Sequence, residues 1–129
     1  MAKTVTLLTW PDYINPATLE QFTHETQITV DLEIVPSAVE LVERMHELGA
    51  APDILCPPDY AVRELHRNRL LHNLDHTLLP NLKYLDGRFR TGRPHDPEGH
   101  VSVVKDWGTT GFMFRTDKVK GRARSWVDF

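Results

Sequence analysis

Thr4-Val5-Thr6-Leu7-Leu8-Thr9-Trp10-Pro11-Asp12-Tyr13-Ile14-Asn15-Pro16 decides how the rest of the chain is read. Thr4–Thr9 is short, apolar and β-branched, which predicts a buried strand. Asn15-Pro16 then predicts a helix start, with asparagine as the cap and proline at the first helical position. Leu19, Phe22 and Thr26 follow at helical spacing. Between strand and helix lies Trp10-Pro11-Asp12-Tyr13, a turn that carries two aromatic side chains and an acid.

The pattern repeats outward from there. Ile28–Val35 alternates, with Ile28, Val30, Leu32 and Ile34 on one side, and predicts a second strand. Ser37-Ala38-Val39-Glu40 is a capping box. Val39, Leu41, Val42, Met45 and Leu48 supply an apolar stripe behind it, and Gly49 a stop. Asp53–Cys56 predicts a third strand, followed by Pro57-Pro58, and Tyr60–Arg67 a third helix with Asp59 as its cap. The order β-α-β-α-β-α predicts a layered α/β domain on a parallel sheet.

Between Leu70 and His100 the prolines and glycines break regular structure, while the leucines and Phe89 can pin the chain down. A packed irregular loop is expected there. Val101–Lys105 and Gly111–Phe114 read as further strands. Ser125-Trp126-Val127-Asp128 has the look of a helix opening, and a helix is not stable on its first turn alone. More chain is therefore expected downstream.

Composition excludes some partners. The chain has 129 residues and a formal net charge of -3, so nothing advertises nucleic acid. The basic clusters Arg88/Arg90/Arg93 and Arg122/Arg124 read as solvated loops. No apolar run approaches the length needed to span a bilayer. The single cysteine, Cys56, allows no intrachain disulfide. Met1-Ala2-Lys3-Thr4 lacks an apolar signal region, which fits a protein kept inside the cell or a mature form with its leader removed.

In parallel α/β sheets, ligands sit beyond the carboxyl ends of the strands. If the first and third strands are neighbours, Trp10–Tyr13 and Pro57-Pro58-Asp59-Tyr60 line one crevice. Trp10, Asp12, Tyr13, Asp59 and Tyr60 then offer an indole, two phenols and two carboxylates. Carboxylates suit ammonium groups, and aromatic faces suit both charge and methylenes. No glycine-rich loop follows either strand, so phosphate is poorly served. Each residue also has a plainer reading: Asp59 as a helix cap, Asp12 as a turn residue, Trp10 and Tyr13 as rim packing.

Other chemistry is less well supplied. His72 and His76 stand one helical turn apart but lack the glutamate of the zinc-protease pattern, and structural zinc would want more cysteines. No metal and no cofactor is expected. No serine stands in a nucleophile-elbow context, and Cys56 reads as core, so no enzyme activity is expected.

These stretches, together with Leu79-Pro80-Asn81-Leu82, Asp86-Gly87-Arg88-Phe89, Asp106-Trp107-Gly108-Thr109-Thr110-Gly111 and Thr116-Asp117-Lys118-Val119, are colinear with one family. The sequence resembles the spermidine/putrescine-binding components of bacterial ABC importers from about Thr4 onward. The resemblance implies a two-lobed periplasmic binding protein (type II) whose Rossmann-like α/β lobes close on a ligand. Here residues 1–106 would be the first lobe and 107–129 the crossover and the start of a truncated second lobe. It implies that Trp10 and Tyr13 pack on the polyamine, that Asp12 pairs with an ammonium, and that Asp59 and Tyr60 add contacts. It also implies a periplasmic or extracellular location and ABC permease partners. Pro11 and Pro58 stand where the family usually has Ser or Thr, which removes a hydroxyl and an amide donor at each place. Two rival readings are another small organic solute, and an isolated lobe that forms a homodimer by exchanging its Gly111–Phe129 arm.

Overall fold

Three parallel strands form the sheet: β1 (Lys3–Thr9), β2 (Ile28–Ile34) and β3 (Ile54–Leu55), in the order β2-β1-β3. The computed structural model describes residues 3–47, 51–119 and 125–128. Leu48, Gly49, Arg122, Arg124 and Phe129, on which some expectations fell, lie outside the described residues, as does the side chain of Asp128. β1 is central and pairs with β2 from Lys3↔Ile28 to Thr9↔Ile34, and with β3 at Leu7↔Ile54 and Leu8↔Leu55. Leu7, Leu8 and Thr9 are all buried, the burial on both faces that a central parallel strand requires.

The helices are α1 (Pro16–Thr26), α2 (Ala38–His46) and α3 (Asp59–Arg67). Asn15 caps α1 as expected, its side-chain oxygen accepting from the Ala17 amide at 3.0 Å. Ser37 caps α2, accepting from the Glu40 amide at 3.2 Å while its hydroxyl meets the Glu40 carboxylate at 3.1 Å. Right-handed crossovers place α1 opposite α2, because the chain steps from β1 to β2 in one direction and from β2 to β3 in the other, and α3 shares a core with α2. Leu8 of β1, Leu41 and Met45 of α2 and Leu65 of α3 form the core. Trp10, Val35, Leu55, Leu70 and Leu71 pack against it. No residue of α1 is buried.

Several expectations need correction. α3 begins at Asp59, so Pro58 and not Asp59 holds the cap position, and it makes no side-chain cap bond. The alternation along β2 does not carry through, because Leu32 and Ile34 are exposed. The opposite side of the strand is engaged there instead, where Glu33 pairs with Arg44 of α2 at 3.0 Å. Neither Val101–Lys105 nor Gly111–Phe114 is a strand. The amides of Val101 and Ser102 donate to the Asp96 carboxylate at 3.2 and 2.9 Å and are not available to a ladder. Gly111–Phe114 keeps the alternation without a neighbouring strand. Phe112 meets Phe114 and Trp126 while Met113 is exposed. Trp126–Asp128 is one 3-10 turn.

From Leu70 to His100 the chain is packed and irregular, carried by three short 3-10 turns. Arg93 is not a solvated loop cation. It reaches Asp96 at 3.0 Å and Ser102 Oγ at 2.9 Å, and it is largely covered. His76 meets the Gly99 carbonyl at 2.8 Å. No helix among the described residues is long and apolar enough to cross a membrane.

Candidate site at the carboxyl rim of the sheet

β1 and β3 run side by side in the same direction, so the segments that follow them leave the sheet at one rim. The pairing continues one residue past β3, where the Cys56 amide donates to the Leu8 carbonyl at 2.9 Å. Trp10–Tyr13 and Pro57–Tyr60 therefore emerge as neighbours, because parallel strands carry both turns to the same end. This is the adjacency on which the sequence reading depended.

The five side chains sit differently on that rim. Trp10 is half-buried and packs on the core with part of its indole exposed. Asp12 is exposed and adopts the left-handed conformation, with φ 56°, which aspartate tolerates better than most side chains. Among the described residues, its carboxylate has no hydrogen-bond or ion-pair partner. Asp59 is exposed in the first turn of α3. One oxygen accepts from the adjacent Tyr60 amide at 2.7 Å, and the other lies 3.8 Å from His95 Nε2. Tyr60 is 60% exposed, so its ring is available to a ligand.

Tyr13 is the most engaged of the five. Its hydroxyl donates to Asp106 Oδ1 at 2.6 Å. Lys105 Nζ stands 3.8 Å from the ring centroid and 3.2 Å from Asp106 Oδ2. The short bond to Asp106 pushes the phenol up to about 12, with burial, the Asp106 charge and the Cys56 thiol adding to it. The same bond holds the Asp106 carboxyl below its ordinary range, helped by Lys105 and opposed by burial.

Lys105, Asp106 and His95 were not foreseen at the rim. Lys105 and Asp106 come from the irregular stretch that follows the strand-like Val101–Val104 pattern. Tyr13 and Asp106 are 93 positions apart, beyond the reach of any local spacing rule. A basic and an acidic residue in succession beside Trp107 was the only signal available. A surface depression also lies elsewhere, between α1 and β2, lined by Leu19, Glu20, Thr23, His24, Gln27 and Val30. It is shallow, and its one acid, Glu20, stands beside His24 with no tryptophan or tyrosine face of the kind found at the rim.

Comparison with known proteins agrees with the resemblance. No protein-family model matches the chain. The spermidine/putrescine-binding periplasmic protein 1 of Haemophilus influenzae is 33% identical over 128 residues, covering 97% of this chain and 35% of that protein. The putrescine-binding periplasmic protein SpuD of Pseudomonas aeruginosa is 31% identical over 92% of this chain and 32% of its own length. The fold matches a spermidine/putrescine ABC transporter structure from Listeria monocytogenes. That match has a TM-score of 0.72 and 36% identity, and it covers 76% of this chain and 30% of that one. The chain spans about a third of the length of the curated relatives it matches. Its parallel sheet and flanking helices form an α/β lobe like that of these substrate-binding proteins.

Proposed function

We propose that the chain forms one wall of a binding site for polyamines, cations of the putrescine and spermidine kind, in a solute-binding protein that serves an ABC importer outside the cytoplasm. In this reading residues 1–106 are the first ligand-binding lobe and 107–129 the crossover toward a second. Trp10 and Tyr13 take the methylenes and the charge on their faces, Asp12 and Asp59 pair with ammonium groups, and Tyr60 adds a further ring. The binding role carries no chemistry of bond making or breaking.

One observation carries the reading: β1 and β3 are parallel neighbours, so both acid-and-aromatic turns leave the sheet at one rim. The names of the relatives agree with it, since each is called a spermidine- or putrescine-binding protein. The physical chemistry agrees as well. Carboxylates and aromatic faces in an open groove select a flexible cation over an anion or a neutral sugar.

Strength follows from exposure. An exposed carboxylate–ammonium pair contributes ~0–1 kcal/mol and an exposed cation–π contact ~0.5–1 kcal/mol. One open wall should therefore bind at millimolar strength or weaker, roughly -4 kcal/mol or less. Closure by a second wall would remove water and strengthen every one of these contacts.

The test is a titration of the chain with putrescine, spermidine and butane-1,4-diol, followed by NMR at the Trp10 indole. The amines should shift Trp10 and the diol should not. Asp12→Asn, which keeps a side chain that tolerates the left-handed backbone, should weaken the amine response by up to about fivefold, because one exposed ion pair is lost, and leave the ligand-free unfolding temperature nearly unchanged. A diol response equal to that of putrescine would remove the cation reading. If Asp12→Asn unfolds early yet binds amine as well as the parent, the Asp12 carboxylate serves the turn and not the ligand.

A further inference from the structure

The rim already holds an alkylammonium, and it belongs to the chain. Lys105 ends in an ammonium on a flexible four-carbon stem, the same chemistry as one end of a diamine. That ammonium lies 3.8 Å from the centre of the Tyr13 ring and 3.2 Å from the Asp106 carboxylate. Asp106 is fixed from the other side by the Tyr13 hydroxyl at 2.6 Å. Ring and carboxylate thus face the ammonium from two sides, and the Tyr13 hydroxyl holds the carboxylate in place. Nothing in the secondary structure requires it, for Lys105 and Asp106 lie in an irregular segment with no ladder to maintain.

We infer that Tyr13 and Asp106 form an alkylammonium subsite which Lys105 occupies as a tethered stand-in, so that a ligand ammonium enters by displacing the Lys105 side chain. The inference rests on the polyamine reading and deepens it. It adds Asp106 to the acids that meet the ligand and makes Lys105 a residue that sets affinity.

Displacement is physically reasonable because both contacts are half in solvent. The Lys105 and Asp106 side chains are 45% and 53% exposed. A cation–π contact and an ion pair at such exposure are each weak, and a lysine pays rotamer entropy to hold them. The lysine can leave without opening the core, since it is not part of the buried cluster. While it stays, it lowers the apparent affinity by the fraction of molecules in which the subsite is open. It also discriminates: one amine end competes with Lys105, whereas a ligand without an ammonium gains nothing by entering.

The experiment uses the full 129-residue chain and putrescine as the probe, with two readouts. The first is affinity, from NMR titration at Trp10 and Tyr13. Lys105→Met, which keeps the stem and removes the charge, should bind putrescine roughly tenfold more tightly than the parent. Lys105→Ala repeats the test with no side chain long enough to cover the ring. The second is the Lys105 ε-methylene resonance, which the Tyr13 ring should shift upfield in the free chain. Putrescine should return it toward its ordinary position at the same concentration that shifts Trp10.

Equal putrescine affinity in the parent and both variants, with the Lys105 resonance unmoved as Trp10 saturates, overturns the displacement and leaves amine binding standing. Weaker binding by both variants overturns it too, because Lys105 would then help to hold the ligand. If putrescine moves neither Trp10 nor Tyr13 in any of the three chains, the subsite and the polyamine reading fall together.

Discussion

Asp96 and Asp106 lie on one irregular stretch of chain, yet Asp96 is 6% exposed while the Asp106 side chain stands about half in solvent. Asp96 is saturated. It accepts from the amides of His100, Val101 and Ser102, from the Ser102 hydroxyl, and from Arg93. Asp106 has two partners, the Tyr13 hydroxyl and the Lys105 ammonium, and both are side chains that can swing away. A carboxylate tied to backbone amides organises the fold around it. One tied to movable side chains is free to change partners when a ligand arrives. The knot at 93–102 should therefore govern stability and the rim should govern binding.

The largest effect should come from Asp96→Asn. The amide nitrogen would face amides that need an acceptor, and the Arg93 guanidinium would lose its counter-charge in a covered place. Removing one partner of such a pair leaves donors unsatisfied, and a loss of about 3 kcal/mol is expected. Chemical denaturation measures it. The parent should also show the carboxylate's signature. Burial pushes Asp96 up, but the Ser102, Val101, His100 and Arg93 contacts outweigh it and hold the carboxyl below 3.8. Its contribution is present above that value and is lost as pH falls through the lower folded pKa. Asp96→Asn should flatten this part of the acid profile. A variant as stable as the parent would mean the knot is dispensable, and the contrast with Asp106 would collapse.

Gly99→Ala should cost less and sharpen the same contrast. Gly99 has φ +70°, and an added Cβ would lie 2.7 Å from the Arg90 carbonyl oxygen. The left-handed conformation and the backbone contact together predict a loss of about 1–3 kcal/mol. The midpoint of unfolding should fall while the putrescine shift at Trp10 keeps its size at temperatures where the variant is folded. Loss of the shift in a folded variant would show that the knot reaches the rim after all.

How far the sequence led differs between these regions for a physical reason. β1, the Asn15 cap and the Ser37–Glu40 box were legible because strand burial and helix capping depend on near neighbours. The rim was legible only on the assumption that β1 and β3 are neighbours, which the strand order supplies, since parallel neighbours must release Trp10 and Pro57 at one end. Val101–Lys105 misled because Val101 and Val103 alternate as they would in a strand. What prevents pairing is Asp96, whose hold on the Val101 and Ser102 amides exists only once the loop has closed. Arg93 misled for the same reason, as a cation among glycines and prolines reads as solvated until its acid is placed. Asp59 was legible as a helix-start residue but one position out, because Pro58 fixes the extended backbone that precedes α3. Lys105 and Asp106 could not be assigned to Tyr13 by any pattern, since their meeting is a tertiary event.

The smallest effect lies at the rim and appears only in alkali. The Tyr13 phenol is raised from 10.0 to about 12, first by its bond to Asp106. A raised folded pKa means the folded state holds this proton after the unfolded chain has released it. The parent therefore keeps its stability below pH 10 and loses some of it as pH climbs toward 12. Tyr13→Phe removes both the proton and the bond, so its stability should fall less steeply than the parent's across that window. Below it the two should nearly coincide, because the bond joins partners that water can serve when it is broken. Tyrosinate absorbance of the parent should show a phenol titrating near 12 that is missing from Tyr13→Phe. If the variant loses no such high-pH step, the hydroxyl is not held by Asp106 in solution, and the receptor for the Lys105 ammonium loses the bond that keeps its carboxylate in place.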